Sequence, residues 1–455
     1  MKKGKRVSES IARQMAIRCL MAVEKGSFAE QTLIDLLDHI NISTLDRSLL
    51  TELVYGVTRN KIRLDNVIDQ FLNQPSKKIS LLLRSILRIG TYQILYLDRM
   101  PIRAAVNEAT LQAKRLIGEG VSGLVNAVLR KISDNKNSLN NDPAEDVDEL
   151  SNYYSHPKWL VSRWVHQYGM LTTKKILLHN NSRASLVLRT NTNKISFVKF
   201  VESLKSQDIS LSREIPEFDS VEISNLGQSV SSIRGFEEGH FLVQDIASQV
   251  VPKLLRIQTR DLVLDACAAP GNKAFHLASA LNSSLKLTVC DITERRLSET
   301  RKNLNRLGVT NFVSICGDSS DEFFARSLGM FDKILVDAPC SSLGVFRHNP
   351  EAKLNLNEKK LLEHSSKQRH LLKSLSTIVK PKGTLVYSVC STSKEETLDV
   401  VRSFISENSG FLIDPIEEKG FKSFARVDDN GFLWTFPPSS DFPVDGFFAA
   451  RFCRI

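Results

Sequence analysis

The chain is 455 residues long, 42% hydrophobic and formally charged at +10, a length that allows about three domains. Its seven cysteines are an odd number with no C-x-x-C pair, which argues against both a disulfide framework and a zinc site. The basic start "MKKGKRVSES" leads into no signal-peptide core, and no stretch approaches the roughly 18 apolar residues of a membrane helix. Cytoplasm is therefore the expected compartment, with no membrane partner. The nine histidines show no metal-ligand spacing, and no metal is expected.

Charge is uneven along the chain: residues 1–135 hold 21 lysines and arginines against 13 acidic residues. A basic front half suits a polyanionic partner, although lysine-rich solvated helix faces give the same count. Over Ser8 to Ile132 apolar residues recur at three- and four-residue spacing in "ARQMAIRCLMAVEKG", "AEQTLIDLLDHI", "LDRSLLTELVYGVTRNKIRLDNVIDQFL", "KISLLLRSILRIGTYQILYL", "RAAVNEATLQAKRL" and "GLVNAVLRKI", which predicts an all-helical bundle. Domain one is set at 1–135. Residues 136–150 are polar and acidic, the composition of a linker. Residues 151–237 combine a helical stretch from Tyr153 with the strands "SLVLRTN" and "SVEIS" around the helix "SFVKFVESLKS", a small α/β domain. From 238 to 455 strands and helices alternate, predicting a parallel, doubly wound sheet.

In such a sheet ligands gather beyond the carboxyl ends of the strands. After "LVLDA" comes the small-residue turn Cys267, Ala268, Ala269, Pro270, Gly271, Asn272 and Lys273, whose backbone can approach a ligand closely. Asp291, Asp318 and Asp337 end the next three strands. Asp291 lies twenty residues past Gly271, where a carboxylate meets ribose hydroxyls. A terminal Asp is also a common helix cap, and Lys273 could be a solvated first-turn lysine. Together the residues describe a nucleoside-cofactor pocket. The turn lacks both G-x-G-x-x-G and the phosphate-binding G-x-x-x-x-G-K-[ST], so S-adenosylmethionine, which has no phosphates, suits it best. Cys19, Cys290, Cys316 and Cys453 sit in apolar runs as small hydrophobes. Cys340 and Cys390 instead sit where strands end.

"DACAAPGNK", "DAPCSSLG", "YSVCS" and "FLVQDIASQ" closely resemble the motifs of bacterial ribosomal RNA cytosine-5 methyltransferases of the RsmB (Fmu/Sun) type. "AVNEATLQAKRL" with "GLVNAVLRKI" is similar to the NusB-like RNA-binding domain that precedes the catalytic region in that family, and "DGFFAARF" to its last strand. The resemblance implies a NusB-like helical bundle, an α/β middle domain and a C-terminal Rossmann-like class I S-adenosylmethionine-dependent methyltransferase. It implies methylation at carbon 5 of a cytosine in 16S ribosomal RNA, before full subunit assembly; oligomeric state and target nucleotide stay open.

That carbon is a poor nucleophile, so the reaction requires a thiolate to add at carbon 6 first, and a second group to take the carbon 5 proton later. Spacing alone does not rank the two thiols. Pro-Cys resembles the nucleophile of DNA cytosine methyltransferases and favours Cys340, whereas a helix beginning near Ser393 would favour a thiolate at Cys390. The family resemblance implies that Cys390 attacks, Cys340 assists release and Asp337 holds the base edge. It also implies that Cys267 to Lys273, Asp291, Asp318 and Asp337 contact the cofactor, Cys267 through its backbone. Departures from the family's usual residues are Asn272, Ser342, Leu343, His348 and Glu351, which put cofactor affinity and the grip on flanking nucleotides in question. Asn272 is expected to tolerate a left-handed turn. Rival readings are a transfer RNA or DNA substrate, and a non-catalytic RNA-binding assembly factor. Ala338, Pro339 and Cys340 stand where an amino-group methyltransferase carries an aromatic after Pro-Pro.

Overall fold

The computed structural model describes residues 10–37, 40, 42–72, 79–226, 229–279, 286–417, 424–436 and 444–455. The basic start at residues 1–9, and residues 38 and 39 of the helix expected over 29–40, lie outside the described residues. The chain forms two compact units, Met1–Ser182 with Phe346–Asn355, and Arg183–Val345 with Leu356–Ile455.

The first unit is helical, as the periodicity predicts: α1 Ile11–Glu24, α2 Ala29–Leu37, α3 Thr44–Arg59, α4 Lys61–Phe71, α5 Leu81–Tyr96, α6 Ile102–Leu116 and α7 Glu119–Asp134. Ser43 and Ser80 start α3 and α5, accepting the backbone N–H of Asp46 and Leu83 on their hydroxyls. The central helix α5 is buried nearly all round, so its arginines need partners inside the bundle. Arg84 pairs with Asp69 at 2.7 Å, and Arg88 pairs with Asp65 and Glu24 at 2.7 and 2.8 Å.

The stretch 136–150 is more ordered than a linker. It holds a short helix, Lys136–Leu139, and the start of another, Val147–Tyr153, whose Leu150 is fully buried. Asp146 caps the second by accepting from the N–H of Asp148 and Glu149, so the acidic composition there is helix-start chemistry. The helix Lys158–Asn181, bent at Gly169, also belongs to this unit.

In the second unit β1 (Leu186–Thr190), β2 (Ser210–Ile215), β3 (Ser220–Asn225) and β4 (Phe241–Val243) form an antiparallel sheet in the order β2-β3-β1-β4. The helix Phe197–Lys205 covers it through Phe200, Val201 and Leu204 against Leu188, Val221 and Phe241. Its fourth strand lies past residue 237, so the small sheet crosses the boundary expected there.

The large sheet contains β5 (Leu262–Asp265), β6 (Lys286–Asp291), β7 (Phe312–Cys316), β8 (Phe331–Asp337), β9 (Val379–Val389), β10 (Phe411–Ile413), β11 (Arg426–Val427), β12 (Leu433–Trp434) and β13 (Phe448–Arg454). Its order is β11-β12-β13-β9-β8-β5-β6-β7, with β10 paired to β13. Strands β5 to β9 are parallel, but β13 runs antiparallel to β9, β10 and β12. The sheet is mixed rather than wholly parallel: among the described residues after Glu407 there is no helix to carry a parallel crossover. Burial on both faces explains the apolar runs: in β9, Leu385, Tyr387 and Val389 pack into one core and Val386 into the other.

Cys19 and Cys290 are buried, as expected, but Cys316 is exposed and Cys453 partly so. Cys316 closes β7, an edge strand with a neighbour on one side only. The helix expected near Ser393 is a single 3-10 turn, Lys394–Glu396, and the α-helix begins at Leu398.

Candidate active site

The parallel strands line up their carboxyl ends side by side. The order reverses between β5 and β8, where the Cys267–Lys273 loop leaves β5 and Asp337 ends β8. This loop is pinned by its own backbone: Ala268 N–H donates to the Cys290 carbonyl at 2.9 Å, and Gly271 N–H to the Ala268 carbonyl at 2.7 Å. Pro270 accepts from the Asn303 amide at 2.9 Å. Gly271 holds φ +106°, and a Cβ there would lie 3.3 Å from Thr300, so the position favours glycine twice over. Asn272 is different from expectation. It is the first residue of the helix Asn272–Ser279 with ordinary φ, and its amide donates to the Val243 carbonyl at 2.9 Å.

Lys273 is not a solvated lysine. Its Nζ donates to Asp337 Oδ2 at 2.6 Å and lies 5.3 Å from the Phe447 ring centroid. Burial opposes its charge, but Asp337, Cys390 and Asp265 together hold the ammonium above its ordinary range. The other oxygen of Asp337 accepts from the Ser388 hydroxyl at 2.7 Å. Cys340 and Cys390 leave the neighbouring strands β8 and β9 and bring their sulfurs to 3.1 Å. The hydrogen bond with Cys390, then burial, holds the Cys340 thiol well above its ordinary range. Cys267 is held high as well, by burial and then by Asp265, Asp337 and Asp291.

Asp291 is 3% exposed. Its Oδ2 accepts from Ala269 N–H at 3.3 Å and lies 3.5 Å from Arg296, while its buried Oδ1 has no partner. Asp318 stands apart: it is exposed, and its Oδ1 accepts from the N–H and hydroxyl of Ser320, the turn-capping role that a strand-end Asp often plays. Two residues escape the sequence pattern. Asp265 is buried between Lys273, Asp337 and Asp291, and burial, then Asp337, pushes its carboxyl up to about 7. It ends β5 as Asp291 ends β6, so the same strand-end signal points to it. Glu396, wholly buried, accepts from both thiol loops; in sequence it is one acid in "SKEE", and no signal marks it. Of the departing residues, Leu343 and Glu351 are buried, Glu351 accepting the Ala29 N–H at 3.1 Å within the helical unit. Those two are packing changes.

A 16S rRNA methyltransferase RsmB/F model matches residues 252–453, a NusB family model residues 10–134, and an RsmF/B-like ferredoxin-like domain model residues 156–221. The probable ribosomal RNA small subunit methyltransferase B of Bacillus subtilis is 32% identical over 446 residues, spanning 97% of this chain and 98% of that protein. The chain belongs to the RsmB/F family of 16S rRNA methyltransferases. The ribosomal RNA small subunit methyltransferase B of Shewanella oneidensis is likewise 32% identical, over 97% of this chain and 99% of its own length. The crystal structure of PH0851 superposes with a TM-score of 0.81 over 97% of this chain and 98% of that one. NSun6 from Pyrococcus horikoshii with SFG gives a TM-score of 0.57 over 66% of this chain and 98% of its own. At 24% and 21% identity these two show the fold.

This RsmB/F member is an S-adenosylmethionine-dependent RNA methyltransferase, and its strand ends fit that donor. The buried Asp291 Oδ1 is an acceptor without a partner, and the glycine at 271 lets the turn pack closely against Thr300. No helix among the described residues is long and apolar enough to cross a membrane.

Proposed function

We propose that the protein methylates carbon 5 of one cytosine in 16S ribosomal RNA, before full subunit assembly, through a covalent bond between Cys390 and the base. The observation that carries this reading is the 3.1 Å contact between Cys340 and Cys390 beside the Lys273–Asp337 pair. The contact with Cys390 and burial hold the Cys340 thiol well above its ordinary range, which suits it to release rather than attack, and the family resemblance gives the attack to Cys390, with the Lys273 ammonium nearby as countercharge. The helix start that sequence suggested is not needed for this ranking.

Bound S-adenosylmethionine supplies an electrophilic methyl; Asp291, Asp337 and the Cys267–Lys273 loop would hold it, with the exposed Asp318 as a further contact. The Cys390 sulfur adds to carbon 6, and the ring's electrons move to carbon 5, which takes the methyl. Asp337 and Lys273 present an acceptor and a donor together to the base edge, offsetting charge at ring nitrogen 3. Once the carbon 5 proton has passed to solvent water, its bonding electrons re-form the carbon 5–carbon 6 double bond, the sulfur–carbon 6 bond breaks and Cys390 leaves as thiolate, with Cys340 assisting this release. A flipped-out base is required for both sulfurs to reach the ring.

Cys390→Ala is expected to form no adduct with 5-fluorocytosine-substituted 16S transcript, whereas Cys340→Ala forms adduct that accumulates on unmodified RNA. Gel-shifted protein from the first variant but not the second reverses the assignment. Bisulfite sequencing of ribosomal RNA with and without the gene should lose one protected cytosine; an unchanged pattern sinks the substrate.

A further inference from the structure

Adjacent parallel strands set the ends of β8 and β9 about 4.8 Å apart, but both sulfurs lie on loops beyond those ends. Something must hold the loops. Loop one is tied at its two edges, by Ala338 N–H to the Ser388 carbonyl at 2.9 Å and by Gly344 N–H to the Cys390 carbonyl at 3.0 Å. Between these ties lies Cys340, and the groups flanking it converge on one buried carboxylate. Glu396 Oε1 accepts from Ser341 N–H at 2.9 Å and from the Gln368 amide at 3.1 Å. Its Oε2 accepts from the hydroxyls of Ser341 and Ser391, and from that of Ser393 at 3.2 Å. The same Gln368 amide also donates to the Pro339 carbonyl at 3.0 Å. Residues on either side of Cys340, and two residues following Cys390, are thereby referred to a single group.

All five partners of that carboxylate can donate, and a carboxylate is the side chain that accepts on every lone pair. The Tyr387 hydroxyl fixes the Glu396 backbone as well, donating to its carbonyl at 2.6 Å. We propose that Glu396 is a positioning residue that clamps the two thiol loops and sets the contact between the Cys340 and Cys390 sulfurs. At 0% exposure it is closed off from anything bound in the pocket. As a role in catalysis this rests on the cytosine-5 reading above, but the clamp itself can be tested without the reaction.

Equilibrating the full-length protein with glutathione does so. Two protein thiols and one oxidised glutathione give a protein disulfide and two reduced glutathiones, and the constant reports how closely the sulfurs are held. For Glu396→Ala the constant is expected to fall about tenfold or more, and for Glu396→Gln, whose amide can meet hydroxyls turned to accept, to stay within about threefold. Turnover should follow: a drop of about tenfold in kcat for Glu396→Ala with KM for S-adenosylmethionine within about twofold, and recovery in Glu396→Gln. A folded Glu396→Ala protein with the wild-type constant, or with KM raised and kcat intact, overturns the proposal. If Glu396→Ala shows no cooperative melt, the double variant Ser391→Ala/Ser393→Ala carries the same expectation, and a wild-type constant there overturns it. Should the wild type methylate no cytosine, the reading of function falls while the glutathione constant still judges the clamp.

Discussion

Asp265 shows how a single side chain can record the cost of building this pocket. Its carboxyl is 1% exposed and is pushed from the ordinary 3.8 to about 7 by burial and then by Asp337, against Lys273 and the Cys267 backbone N–H. The folded protein therefore keeps a proton that the unfolded chain releases between about pH 4 and pH 7, so the stability owed to this residue falls as pH rises through that window. Asp265→Asn cannot ionise, and is expected to exceed the wild type by about 2–4 kcal/mol at pH 8 and to lose that advantage near pH 4. Thermal melts across that range check it, and a difference that does not vary with pH refutes it. The residue was within reach of sequence reasoning, since it ends a strand as Asp291 and Asp337 do. Glu396 was not, because five donors from separate segments meet it only after folding.

At the scale of elements, two close approaches at glycines decide whether the parts fit. Gly344, at the end of the first thiol loop, lies against Gly446, just before β13: a Cβ on Gly344 would sit 1.9 Å from the Gly446 carbonyl oxygen. Gly446 N–H donates to the Gly344 carbonyl at 2.8 Å, so the two segments cannot separate cheaply. Gly344→Ala is expected to displace the loop, to destabilise by about 2–3 kcal/mol, and to cut activity at least tenfold; urea denaturation with parallel methylation assays checks both, and wild-type values for both would falsify the packing account. In the helical unit Gly56 on α3 faces Tyr92 on α5, whose ring would lie 2.1 Å from an added Cβ. Gly56→Ala should cost about 1–3 kcal/mol in the same denaturation experiment, less than a backbone clash because the Tyr92 side chain can shift. The periodicity of these helices was legible in the sequence, but which glycine faces which ring was not: a helical pattern gives the buried stripe of one element and says nothing of its neighbour.

For the whole molecule, the ten residues Phe346–Asn355 belong with the helical unit although they lie inside the catalytic half of the chain. Phe346 is 1% exposed, its ring 6.2 Å from that of His156. Lys353 is wholly buried and donates to Asn181 Oδ1 at 3.2 Å, and burial holds its ammonium well below the ordinary range. A fragment beginning at Arg183 strips these residues of their partners and exposes a phenylalanine worth about 2–3 kcal/mol of burial. It should melt below the full chain and self-associate on size-exclusion chromatography, whereas a monodisperse fragment with the full-length melting temperature would show that the segment repacks by itself.

What the sequence determined alone was local in character. Apolar spacing marked the bundle, alternating segments marked the catalytic sheet, and strand-end Asp and Cys residues marked the pocket, because each signal is written in neighbours along the chain. The tertiary structure decided what depends on distant segments meeting. It turned the last strands antiparallel, moved the middle-sheet boundary past residue 237, paired Lys273 with Asp337 and left Asp318 to its own turn. It also brought two thiols fifty residues apart into contact. Hydrogen bonding and desolvation act through space, and spacing along a chain carries no record of which remote group arrives.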